Sequence, residues 1–328
     1  MKMKRKVIAG IALAAASALA LAGCSNGSTD GNDASAADYN IGISQLVQHP
    51  ALDAATEGFQ KAFEDAGINA KFDIQNANGE QGTAVTIAQT FASQDLDLVL
   101  AVATPAAQAM AQAITDKPVL FTAVTDAVAA ELVDSNEKPG ANVTGTSDMA
   151  PIDEQLKLLK QIVPDAKKVG IVYASGEVNS QVQVDAATEA APALGLEIVS
   201  TTVTTANDIQ QAAEALGDVD AIYVPTDNMV VSGISSLVQV AEAKKIPVIG
   251  AESGTVEGGA VATLGIDYFQ LGYQTGEMAI KILKDGGDPA TMAVEVSKTF
   301  SYVVNPGAAE RMGVTIPADI LDQAETVE

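Results

Sequence analysis

Cysteine, histidine, arginine and tryptophan are almost missing from this chain. Of 328 residues one is cysteine, one is histidine and none is tryptophan, and aromatic residues make up 4%. A lone thiol, Cys24, cannot close an intramolecular disulfide or build a thiolate metal site. A lone imidazole, His49, excludes the two-histidine zinc motifs. With Arg5 and Arg311 the only arginines, an anionic ligand must rest on backbone N–H groups, hydroxyls or lysine. Basic charge is scarce altogether: 18 Lys and Arg stand against 42 Asp and Glu, a net charge of −24. Nucleic acid is therefore not an expected partner, because phosphate binding needs a basic footprint. A G-x-S-x-G elbow, a usable Ser/His/Asp set and a P-loop are lacking too. No enzymatic activity, cofactor or metal is expected.

What is present begins with a basic-then-apolar leader. Lys2, Lys4, Arg5 and Lys6 precede an uncharged run from Val7 to Ala22, the grammar of a secretory signal. The run falls short of the ~20 residues of a spanning helix. It closes on Leu21-Ala22-Gly23-Cys24, a small-residue site ending on cysteine that resembles a bacterial lipobox, in which the thiol takes a diacylglyceryl group and becomes the new N-terminus. Two acyl chains suffice for stable anchoring. Residues 1–23 are thus expected to be a lipoprotein signal peptide. Residues 24–38, small, polar and acidic, read as a flexible tether. The rest is expected to be exported and held on the outer face of the cell membrane through Cys24. Loss of the four basic leader residues takes the net charge from −24 to −28.

From Tyr39 onward, short apolar runs alternate with amphipathic segments. Strands are expected at Tyr39–Val47, Ala70–Gln75, Leu96–Ala103 and Pro118–Val124, and helices at Ala51–Ala66, Glu80–Ser93 and Pro105–Ile114. The same order returns in Lys168–Tyr173, Glu177–Leu194, Glu197–Val203, Asn207–Leu216, Ala221–Val224, Val230–Lys244 and Pro247–Ile249. Strands apolar throughout, each followed by a helix, indicate parallel sheets covered on both faces. The two sets are repeats: Ile41-Gly42-Ile43 and Val169-Gly170-Ile171 lie 128 positions apart, as do Gly67 and Gly195. The expected fold is α/β, with two Rossmann-like lobes. The polar, glycine-bearing stretch from Gly140 to Asp148 reads as a strand crossing between them.

Ligands of open parallel sheets sit beyond the carboxyl ends of the strands. That rule selects Ser44, His49, Thr104, Gln108, Thr125 and Asp126 in the first set, and Thr226, Asp227, Asn228, Glu252 and Ser253 in the second. Thr104 before Pro105 fits a helix N-cap, a ligand contact, or both. A helix N-terminus there offers free N–H groups to a carboxylate. Asp126, Asp227, Glu252 and Asp267 could each cap a helix or receive an ammonium group, with Asp227 ranked first and Asp267 second. His49 is either a helix-starting residue or a contact on the cleft rim. Tyr268 could stack on a flat ligand, whereas Phe269 reads as core. Gly272 and Gly276 share one helix face, suited to close packing on a sheet.

Five stretches, IGISQLVQHPALDAATEGF from Ile41, ATPAAQ from Ala103, FTAVTD from Phe121, YVPTDNMVVS from Tyr223 and LGIDYFQLG from Leu264, together with the lipobox, resemble the tryptophan/tyrosine-type substrate-binding lipoproteins of ABC transporters. The resemblance spans nearly the whole chain after Cys24. It implies a class I periplasmic-binding-protein fold with three crossover strands, its first lobe from residues 39–146 plus 266–290 and its second from 147–265 plus 291–328. It further implies a monomer that closes on a small amino-acid-like ligand, aromatic by association, and hands it to a permease and ATPase complex. A ligand-sensing signalling lipoprotein on the same fold remains the alternative. Fold alone does not decide between them.

Overall fold

The computed structural model describes residues 38–297 and 299–327. The expected signal peptide, Cys24 and the expected tether up to Ala37 lie outside the described residues. The chain runs β1 (Tyr39–Gln45), α1 (Pro50–Asp65), β2 (Ala70–Asn76), α2 (Gln81–Ser93), β3 (Leu98–Val102), α3 (Thr104–Ala113), β4 (Val119–Val124) and β5 (Val143–Ser147). It continues through α4 (Ile152–Ile162), β6 (Lys168–Ala174), α5 (Val178–Ala190), β7 (Glu197–Val203), α6 (Ile209–Ala215), β8 (Ala221–Val224), α7 (Asn228–Ser232), α8 (Ile234–Lys244), β9 (Val248–Gly250), α9 (Ser253–Glu257) and β10 (Ala262–Ile266). It ends with α10 (Tyr268–Asp285), β11 (Glu295–Val296), β12 (Phe300–Val304), α11 (Pro306–Met312), α12 (Ala318–Leu321) and β13 (Glu325–Thr326).

Two sheets result. One has the order β11-β5-β4-β3-β1-β2 and the other β13-β12-β10-β9-β8-β6-β7. Within each, the first five strands of the repeat follow one order, 2-1-3-4-5, and pair in parallel. β12 runs antiparallel to β10. β3 and β4 are buried at every position, which is why they read as unbroken apolar runs rather than alternating ones. Each sheet has its own core, one built around Ile41, Phe59 and Leu100, the other around Leu159, Ile171 and Tyr223.

Three segments cross between the lobes: after β5, between β10 and α10, and between β11 and β12. The last falls after Val296, because Glu295 and Val296 pair with β5 on the first sheet. That is a few residues beyond the 290/291 division drawn from the sequence. Gly272 and Gly276 pack on a helix and not on a sheet. A Cβ on Gly272 would lie 1.9 Å from the Ala55 carbonyl oxygen of α1, and one on Gly58 would lie 2.0 Å from that of Phe269. The two helices touch backbone to backbone, which only glycine permits. Two expected helices are also shorter than drawn. Val230–Lys244 breaks at Gly233 into α7 and α8, and α5 ends at Ala190 ahead of a 3₁₀ turn containing Pro192.

Candidate functional site

The 2-1-3-4-5 order puts a topological switch point between β1 and β3 in the first lobe and between β6 and β8 in the second. Crevices for ligands open at such points. At the first, Ser44 is fully buried and its Oγ has no hydrogen-bond partner. Thr104 is 1% exposed and its Oγ1 is equally unpartnered. Thr104 is not the N-cap: it is the first helical residue of α3, and Ala103 holds the cap position at φ 82° and ψ 154°. A non-glycine residue at positive φ stores strain, and such strain clusters where ligands bind. Ala123, at φ 55°, repeats the pattern in the irregular end of β4 against β5. The first internal bond of α3 runs from Ala107 N–H to the Ala103 carbonyl, so the N–H groups of Thr104 and Ala106 precede the helical ladder.

His49 precedes α1 with an extended backbone, φ −160°. Its Nδ1 is buried without a partner. Burial lowers the imidazole pKa to about 4, against a smaller opposing effect from its hydrogen bond to the Asn228 side chain. It is therefore neutral at physiological pH.

Across the cleft, acids dominate. A narrow inner pocket of about 10 Å³ is lined by His49, Asp148, Thr226, Asp227, Glu252 and Tyr268, among others. That is far below the ~300–1,000 Å³ usual for small-molecule sites, so a ligand enters only as the lobes part. No lysine or arginine lines it. Burial raises the pKa of Asp148, Asp227 and Glu252, and the Glu252 charge pushes Asp148 further in that direction. Among the described residues, no group of three or more His, Cys, Asp or Glu is arranged to hold a metal.

The partners of these acids separate them. Asp227 caps α7: it accepts from Val230 N–H at 2.8 Å, Ala174 N–H at 2.6 Å and Ser180 Oγ at 2.7 Å. Glu252 caps α9, accepting from Gly254 N–H, Thr255 N–H and Thr255 Oγ1. Asp148 accepts only two side-chain bonds, from Thr125 Oγ1 at 2.9 Å and Tyr268 OH at 2.7 Å. Asp148 caps no helix and accepts bonds from only two other residues, which leaves part of its four lone-pair sites free. The ranking of Asp227 first and Asp267 second for the ammonium does not fit these geometries. Asp227 spends its oxygens on its own lobe, and exposed Asp267 caps α10 through Gln270 N–H beside a different pocket, together with Ser253.

The remaining candidates divide. Thr125 and Thr226 meet across the cleft, Oγ1 to Oγ1 at 3.3 Å. Tyr268 is buried with its hydroxyl on Asp148 rather than offering an open face for stacking. Asp126 accepts from Val128 and Ala129 N–H in its own turn, and Gln108 donates to the Ala130 carbonyl. Neither lines the inner pocket. Asn228 lines both the inner pocket and a wider, more open part of the cleft, formed by Leu46, Gln81, Pro105, Gly176 and Met229 among others.

A model of the family of ABC transporter substrate binding proteins matches residues 40–328. The chain belongs to that family. A tyrosine-binding protein of Clostridioides difficile is 47% identical over 275 residues, 80% of each chain. The structure of an ABC domain from Streptococcus pneumonia in complex with L-Trp is 36% identical and superposes with a TM-score of 0.85, covering 88% of this chain and 99% of that one. A ligand-free, open structure of a substrate binding protein with adhesive properties from Clostridium difficile is 46% identical over the same shares, yet its TM-score is 0.69. This family member therefore resembles a ligand-bound relative in shape more than an open relative of higher sequence identity.

Sequence reasoning passed over Asp148, and it passed over Glu177, whose carboxylate accepts from Asn179, Asn228 and Met229. Burial and the neighbouring Asp227 charge push Glu177 up to about 7. A signal for Asp148 did exist, since Thr146-Ser147-Asp148 closes β5 as Val124-Thr125-Asp126 closes β4.

Proposed function

We propose that the chain is the lipid-anchored, extracytoplasmic receptor of an ABC importer and that it binds a free aromatic amino acid, L-tyrosine or L-tryptophan, between its lobes. The carrying observation is the charge pattern of the inner pocket. Buried acids with no basic side chain call for a cation brought by the ligand. The ammonium group goes to Asp148. The carboxylate goes to the N-terminus of α3, where the Thr104 hydroxyl and the N–H groups of Thr104 and Ala106 replace the absent arginine. The unpartnered Ser44 and His49 groups are further polar contacts for the amino-acid head. The ligands of two relatives, tyrosine and L-Trp, support the aromatic side chain. Closeness in shape to the L-Trp complex supports a closed arrangement here, with the ligand stabilising it by touching both lobes.

Isothermal calorimetry with L-tyrosine, L-tryptophan, L-alanine and tyramine tests this reading. Binding of an aromatic amino acid, loss of binding for tyramine, and at least tenfold weakening by Asp148→Asn are expected, because truncating a buried charge partner costs ~2–5 kcal/mol. Undiminished affinity in a folded Asp148→Asn variant would remove the ammonium from this acid.

A further inference from the structure

The Thr226 hydroxyl has one hydrogen to donate, and its neighbours decide where it goes. Gln183 of α5 accepts the Thr226 N–H on Oε1 at 3.1 Å. Its Nε2 donates to the Asn179 carbonyl at 3.0 Å and to Thr226 Oγ1 at 2.6 Å. A backbone N–H only donates and a backbone carbonyl only accepts, so this amide has a single orientation. Thr226 Oγ1 must accept from Gln183, which leaves its own hydrogen for Thr125 Oγ1 on the other lobe, 3.3 Å away. Thr125 Oγ1 in turn donates to Asp148 Oδ1, and Asp148 Oδ2 accepts from Tyr268 OH. Donor follows acceptor without a break from α5, across the cleft, to Asp148. Asp148 follows β5 at the first crossing, and Tyr268 opens α10 at the second.

We propose that this chain is a closing latch and that Gln183 is the positioning residue that sets its polarity. By occupying the Thr226 oxygen, Gln183 aims the hydroxyl hydrogen at the first lobe and favours the closed arrangement before ligand arrives. A larger closed fraction raises apparent affinity in proportion. The latch rests on the ligand reading only at its far end, Asp148. Its operation in the ligand-free protein is independent of which amino acid binds.

Thr226→Val removes the hydroxyl, leaves Gln183 bonded to Asn179 and to the main chain of residue 226, and strands one Nε2 hydrogen of the buried Gln183. Gln183→Glu replaces the donating nitrogen with an acceptor, drawing the Thr226 hydrogen away from Thr125. Lobe separation is read by a dye pair at Gln89→Cys and Gln210→Cys, both exposed, in a Cys24→Ser chain. Affinity is read by calorimetry with L-tyrosine and L-tryptophan. Both variants should shift the ligand-free protein towards open and weaken binding about fivefold, the equivalent of one ~1 kcal/mol hydrogen bond. Thr226→Ser should keep the wild-type values, and Gln183→Glu should add nothing further in a Thr226→Val background. An unchanged distance distribution in folded Thr226→Val, or an equal effect of Gln183→Glu in both backgrounds, would overturn the latch. Should the wild type bind neither amino acid, the ligand reading fails while the ligand-free distances still judge the latch.

Discussion

Replacing Thr104 with valine should move two measurements in opposite directions. The side chain is 1% exposed and its Oγ1 has no hydrogen-bond partner. A buried hydroxyl without a partner costs ~1–3 kcal/mol, and an apolar group of the same shape removes that cost. Valine is such a group, and Thr104 lies at the first turn of α3, where the backbone demands little of the side chain. The variant without ligand should therefore be about 1 kcal/mol more stable, a rise of ~1.5–2 °C in Tm for a chain of this size. The bound state loses a hydrogen bond to a charged carboxylate, worth ~1.5–3 kcal/mol, so affinity should fall about ten- to a hundredfold. Thermal unfolding without ligand, paired with calorimetry, reads both effects. Thr104→Ser is the control, since it retains the hydroxyl and should retain most of the affinity. A valine variant less stable than wild type with unchanged binding would show that Oγ1 is a structural group, and the carboxylate site would have to move.

Three other outcomes follow from separate features. Burial holds the His49 pKa at about 4, below the 6.5 of a free imidazole, so the unfolded chain takes up a proton before the folded one as pH falls. Stability attributable to His49 is therefore lost between those two values, and His49→Gln should show a smaller drop in Tm across that window than wild type. Asp227→Ala strands Ala174 N–H and Ser180 and uncaps α7, so it should cost ~2 kcal/mol or more of stability. A Tm unchanged while only binding weakens would restore Asp227 as a ligand group. Cys24→Ala should move the protein from the membrane fraction to the soluble one with its unfolding transition intact; retention of the variant on membranes would refute the lipid anchor.

The repeat and its parallel order were legible because buried strands leave a simple trace. β3 and β8 read as unbroken apolar runs, and Gly67 and Gly195 close equivalent turns with φ 66° and 69°. Short elements such as α9, β11 and β13 left no trace, having too few residues to show a period. At the site, the sequence located the strand ends but not what each side chain faces. Whether Asp227 meets a ligand or Ser180 depends on a partner 47 positions away. Thr104 illustrates a subtler limit. Threonine before proline reads as a cap, and only the positive φ of Ala103 shifts the cap back one residue. Asp148 escapes a sequence reading because its stretch reads as a connection, although its acid stands where the other strand-end acids stand.

The glycine-tight contact between α1 and α10 also sets an order of events during synthesis. Gly58 and Gly272 bring together backbones more than two hundred residues apart, and α10 supplies Leu271, Met278 and Ile282 to the first core. Contacts of such separation are slow to form, because loop closure precedes any gain from packing. A ribosome that has finished every strand from β1 to β5 has still not made the helix that covers them. The first lobe therefore stays incomplete, its sheet uncovered on that side, until α10 has been made.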